Sequence, residues 1–290
     1  MSTVGSDEDS VSGTIEDPWK TINYALEKIT KSRPSKPTAE DSVVINVREG
    51  TYYFESTATL RPRASFLKIR NFRDEKVVFS GGFPLDIEWK RNGDRLSGTF
   101  DGQCASAYYG DTTLVKARSP NTKWGRNKNL AKGPYHHIKD LLKETETCTR
   151  YTSHFSQTCP EDDRLGFVFS DEFSEDWTDV DQMEIIIFHS WIAEYVKVAN
   201  ISRTIDGRNV VKFQKPLQSS AIGDWPKSSG WRYIILNNLA LLDEPGEYVC
   251  LKTGDKGRSK KTNISFFFRS DFINENKTIF QKLKIRGPKQ

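Results

Sequence analysis

The chain has 290 residues, 36% of them hydrophobic and 12% aromatic, with a formal net charge of +4. Its mean hydropathy is −0.63, and no apolar run reaches the length of a membrane-spanning helix. A chain of this size holds two ordinary domains or one elongated one.

The opening stretch MSTVGSDEDSVSG has neither a basic start nor an apolar core, so it does not read as a signal peptide. Asp17 followed by Pro18 reads as a helix start, a carboxylate cap and then a proline whose missing N–H costs nothing there. Trp19, Ile22, Leu26 and Ile29 share one helical face, which predicts a helix over 18–31 that ends before the prolines of SRPSKP. Short β-branched or aromatic segments follow: VVINV (43–47), TATL (57–60), FLKIRNF (66–72) and KVVFSGG (76–82). The step from Val44 to Leu67 is about one coil of a β-solenoid. Gly50, inside REGTYY, is expected at positive φ.

Further along, SAYYG, TLVKAR, LGFVFS, EIIIFHSWIAEYVKV and NVVKF read as strands joined by polar loops. The Asp-Gly of TIDGRN suits a hairpin turn. From Leu251 onward the chain carries eleven Lys/Arg against three Asp/Glu, a net of +8 that leaves −4 for the first 250 residues. Such an end is either a solvated tail or a contact for nucleic acid or acidic glycans. No helix-turn-helix, RNP pair or zinc finger accompanies it, so nucleic acid is not the expected partner.

Several residues could carry chemistry. The run SDEFSEDWTDVDQME places seven carboxylates between Asp171 and Glu184. Asp176, Asp179 and Asp181 in it could ligate Ca²⁺ through oxygen, or the run is a solvated acidic loop. His189 and Trp191 alternate on one strand face, either offering a titrating imidazole and a stacking indole to a sugar or packing into the core. Trp225 and Trp231, like Trp89 and Trp124, lie among small and polar residues and suit either a carbohydrate face or interface packing. His136 and His137 are adjacent, and on a strand they point apart. Cys104, Cys148, Cys159 and Cys250 lack CxxC spacing; Cys148 and Cys159 could close a loop, or all four are thiols. Sequons at Asn200, Asn263 and Asn276 are compatible with secretion. The GxSxG, HExxH, Walker A and GxGxxG patterns are missing, which disfavours their chemistries.

The segments SGTIEDPWKTINYALEKI, INVREGTYYFESTATL, VVFSGG and IEWKRNG resemble the opening of right-handed parallel β-helix proteins of the pectin-lyase-like class, closest to those related to glycoside hydrolases. The resemblance continues in LVKARSPN (114–121), DWTDVDQMEIIIFHSWIAEYVKVANI (176–201) and LLDEPGEYVCLKTG (241–254). It implies a capping helix and first β-helix coils over 1–94, an inserted β-sandwich-like domain over 95–250, and a divergent basic tail over 251–290. It also implies an extracellular carbohydrate-active protein with a polysaccharide or glycan ligand. In that family the catalytic carboxylates sit on coils beyond the point where similarity stops, so this chain is expected to be inactive. The alternative is a non-catalytic glycan-binding or structural module.

Overall fold

The computed structural model describes residues 1–85, 87–110, 112–121, 135–142, 164–169, 177–189, 192–205, 207–218, 232–253, 261–267 and 283–286. Two compact units divide the chain: Met1–Leu85 with Lys284–Gln290, and Asp86–Leu283. The division falls earlier than the sequence boundary at 94.

In the first unit, helix α1 (Ile22–Ser32) starts one turn later than Asp17-Pro18 suggested. The carbonyls of Pro18 and Trp19 accept from Ser6 and Ser2 of the N-terminal segment, so they cannot begin the helical ladder. Thr21 caps the helix instead, its Oγ1 accepting from the Tyr24 amide at 3.2 Å. Ile22, Ala25, Leu26 and Ile29 are buried with Ile45, Val47 and Tyr52, and the half-buried Trp19 packs at their margin. The Trp19 indole donates to the Val11 carbonyl at 3.0 Å.

Strands β1 (Val43–Val47), β2 (Gly50–Tyr53), β3 (Leu67–Asn71), β4 (Val77–Ser80) and β5 (Gly82–Pro84) follow, while TATL forms none. Parallel pairs join β1 to β3 and β2 to β4. Gly50 has φ of 138°, as expected, and a Cβ there would sit 2.7 Å from Thr3 Cγ2. The position is closed to other residues for both reasons.

The second unit begins with β6 (Lys90–Asn92), β7 (Arg95–Asp101), β8 (Ser106–Tyr109), β9 (Thr112–Thr113), β10 (Val115–Lys116) and β11 (Arg118–Ser119). It continues with β12 (His136–Leu141), β13 (Gly166–Phe169), β14 (Glu184–Phe188), β15 (Ala193–Arg203), β16 (Asn209–Phe213), β17 (Arg232–Leu236), β18 (Glu247–Lys252) and β19 (Lys261–Phe267). A last strand, β20 (Leu283–Arg286), has its paired residues in the first unit, where Lys284–Arg286 run antiparallel to β5. Strands β17, β12, β13, β16, β15 and β14 are hydrogen-bonded in that order, and β14 pairs back onto β17. Every pairing in this ring is antiparallel, which closes a six-stranded barrel. The TIDGRN segment makes the β15–β16 turn, with the Thr204 amide donating to Arg208 at 2.8 Å. A five-stranded sheet ordered β10-β18-β19-β7-β6 completes the unit.

This topology overturns both a parallel β-helix and a sandwich-like insert. Among the strand pairs whose register is described, those of β1/β3, β2/β4 and β10/β18 run parallel and the rest antiparallel. Short β-branched runs at coil-like spacing read the same whether their partners run parallel or antiparallel, so the pattern could not separate the two. The partners are fixed by long-range registers, and the closed ring leaves its six strands without the free edges that successive coils would need. Within the expected basic tail, β19 is a central strand whose Ile264 and Phe266 are fully buried.

Candidate functional site

The alternation of β14 divides its side chains between two environments. Ile185 and Ile187 enter the barrel with Phe167, Met183, Phe213 and Tyr233. That interior is filled by these side chains, and the space left between them is about 10 Å³, too little for a ligand. Among the described residues, room for a ligand lies outside the barrel wall.

Glu184 and Ile186 face the other way. In the pairing register Ile186 lies between Tyr195 on β15 and Ile234 on β17, and Glu184 between Lys197 and Leu236. Arg118 on β11 lies opposite Leu236 and extends this second row. Ile186, Ile234 and Leu236 form a buried apolar floor, with Tyr135 and Phe188 packed against it. Above that floor, Val115, Lys116, Arg118, Ala105 and Tyr248 complete a groove of about 340 Å³, with Tyr195 on the β15 side. The size and the mixture of an apolar floor with few polar groups are those of a small-ligand site.

The polar groups are well defined. Lys116 Nζ donates to Glu184 Oε2 at 2.8 Å, with the two side chains 17% and 22% exposed. Burial works against the charge of the Arg118 guanidinium and lowers its pKa, an effect that the Glu247 and Glu244 carboxylates oppose. Glu247 itself is pushed up by burial, although its carboxylate accepts from the Asp243 and Glu244 amides at 3.2 and 3.1 Å. The Tyr248 phenol is raised far above its usual range, mainly by burial and then by the Glu184 charge. Its hydroxyl donates to the Ala105 carbonyl at 3.4 Å. Tyr195, at 71% exposure, presents its ring to solvent. Behind the Ala105–Tyr248 wall lies a disulfide between Cys104 and Cys250, with Cα atoms 6.2 Å apart. That pairing was not foreseen.

The residues singled out from sequence that the structure describes lie outside the groove lining. His189 follows β14 at its hairpin end, its Nε2 3.2 Å from Glu194 Oε1 and its amide donating to Ile192. Burial lowers the imidazole pKa, and Glu194 opposes that shift; Glu194 also accepts from the Gln218 amide at 2.8 Å. Asp179, exposed and left-handed at φ 52°, precedes a 3₁₀ turn that contains Asp181. Among the described residues no three potential metal ligands converge. Asp176, Trp191, Trp225 and Trp231 lie outside the described residues, as do Trp124, Cys148 and Cys159. Trp89 packs on Phe266 at 5.5 Å between ring centroids. His136 Nε2 meets Ser119 Oγ at 2.9 Å, and its ring lies against Tyr233.

Of the three carboxylates of the acidic run among the described residues, Asp179, Asp181 and Glu184, only Glu184 lines the groove. Lys116, Arg118, Tyr195 and Tyr248 were missed as site residues. They occur within three segments that carried the family resemblance, LVKARSPN, the β14–β15 hairpin and LLDEPGEYVCLKTG, and the fold brings these together.

Comparison with solved structures gives a match titled "Glycoside hydrolase", at 15% identity and a TM-score of 0.66. It covers 99% of this chain and 45% of that one. The fold is shared with part of a glycoside hydrolase. This chain spans less than half of that protein's length. A second structure, titled "The complex structure of XylC with xylose", aligns with a TM-score of only 0.28 at 14% identity, over 81% of this chain and 31% of that one. No family model and no curated protein matches the chain.

Proposed function

We propose that this chain is a portion of an extracellular carbohydrate-active protein, and that its barrel unit binds glycan in the outer groove without hydrolysing it. The groove carries the reading: an apolar floor, an exposed tyrosine ring and a carboxylate–ammonium pair are the groups that hold the faces and hydroxyls of a sugar. The fold shared with a glycoside hydrolase supports a carbohydrate role. Hydrolysis of a glycosidic bond needs two carboxyl groups roughly 5–10 Å apart across the substrate. The described lining of the groove offers Glu184, which is already engaged by Lys116. The Cys104–Cys250 disulfide suits an oxidising compartment, and the exposed sequon residue Asn200 on β15 is compatible with it.

The test is a glycan array together with an aryl-glycoside assay, run with and without Ca²⁺. Glycan binding without turnover is expected. Turnover that disappears in Asp179→Asn or Asp181→Asn, in protein still folded by circular dichroism, would move the active site into the acidic run and overturn the reading.

A further inference from the structure

Glycan binding in the groove leaves open which sugars it accepts, and the geometry around Glu184 bears on that. Lys116 Nζ and Glu184 Oε2 stand 2.8 Å apart on neighbouring walls, close to the separation of two vicinal hydroxyl oxygens on a pyranose. One such hydroxyl can donate to the carboxylate while its neighbour accepts from the ammonium. Both side chains are mostly shielded, so these hydrogen bonds would be made in a partly desolvated setting, where they count for more than at an open surface.

Tyr195 is placed to complete the contact. It lies on the same outer face as Glu184, two residue pairs along the β14–β15 register and on the adjacent strand. That diagonal spans roughly 7–8 Å between backbones, about the width over which one sugar ring could stack and hydrogen-bond together. The exposed phenol face suits the C–H face of a pyranose.

Charge narrows the choice further. Lys116 is balanced by Glu184, and the Glu247 and Glu244 carboxylates act on Arg118, so both cations among the described groove-lining residues already have acidic neighbours. A uronate carboxylate placed at the diol position would meet Glu184 at close range.

We infer that the groove takes a neutral saccharide with a free vicinal diol, stacked on Tyr195 and bridged by the Glu184–Lys116 pair. This rests on the glycan-binding reading above. The experiment is ligand-observed NMR on the 290-residue chain with neutral methyl hexosides and pentosides, their O-methylated diol derivatives, and the matching methyl uronates. Neutral glycosides are expected to bind, with affinity nearly independent of salt, and methylation of the diol should abolish binding. Tyr195→Phe should keep the affinity, whereas Tyr195→Ala should weaken it roughly three- to tenfold. Glu184→Gln should weaken it by about tenfold or more. Uronates binding more tightly than neutral sugars, or methylated diols binding unchanged, would overturn the assignment and leave glycan binding intact. Failure of every sugar to bind would overturn both. Tyr195 is exposed, so its variants test the site without threatening the fold.

Discussion

On β14, Ile185 and Ile187 enter the barrel core while Glu184 and Ile186 enter the outer groove, and the two regions are limited by different things. The core is closed and apolar, so its worth is set by packing, and any lost volume is felt as stability. The groove is open, and its exposed tyrosine ring contributes little to folding beyond its share of buried surface. The lesson is that a period of two lets one strand separate stability from binding without any change in backbone. Substitutions on the two faces should therefore give opposite signatures.

The largest expected effect is in the core. Phe167→Ala, at a fully buried position in contact with Phe213 and Tyr233, should cost about 3–5 kcal/mol in denaturant unfolding. Glycan affinity in the fraction that remains folded should be unchanged. A loss below about 1 kcal/mol would show that the barrel interior is not what holds this unit together.

The disulfide comes next, because its cysteines are near neighbours in sequence of the groove residues Ala105 and Tyr248, yet it acts through the unfolded chain. Cys104 and Cys250 are 146 residues apart in sequence, so opening the bridge releases a long loop. Cys104→Ser together with Cys250→Ala should lower stability by about 2–5 kcal/mol. Because Ala105 and Tyr248 adjoin the two cysteines, glycan affinity should fall as well; unchanged affinity would detach the wall from the site.

Glu184→Gln should cost about 1–2 kcal/mol, since it removes the charge-assisted bond to a mostly shielded Lys116. Tyr195→Ala should change stability by less than about 0.5 kcal/mol while weakening glycan binding, which is the sharpest contrast with Phe167. Thermal unfolding of the two variants side by side checks this, and a large drop for Tyr195→Ala would erase the distinction between the two faces.

The smallest effect concerns pH. Burial raises the Glu247 carboxyl above the ordinary glutamate value, so the folded chain holds that proton more tightly than the unfolded chain does. Between the ordinary and the raised value, stability from this group falls as pH rises. Glu75 has the opposite sign: its hydrogen bond to Arg48 lowers its pKa, and its contribution is lost as pH falls through the lowered value. Glu247→Gln should flatten that decline; parallel melting profiles for variant and parent would rule the assignment out.

Local features were legible in the sequence because they depend on neighbours a few residues away. The apolar stripe of α1, the positive φ of Gly50, the TIDGRN turn and most strand segments follow from periodicity, glycine freedom and turn chemistry. Even the start of α1 slipped by a turn once distant amides from Ser2 and Ser6 claimed the carbonyls it needed. What only the tertiary structure decided is partnership. Whether β14 pairs with β17, whether Lys116 reaches Glu184 and whether Cys250 meets Cys104 or another thiol are contacts between residues far apart in sequence, 68 apart for Lys116 and Glu184 and 146 for the two cysteines. No local pattern encodes them, because a strand offers the same hydrogen-bonding groups and the same alternation to every partner. The sequence by itself thus determined the pieces and the face each would bury. Chain closure into an antiparallel barrel determined which outward-facing residues would meet, and so put the candidate site at Glu184 and Tyr195 rather than at His189.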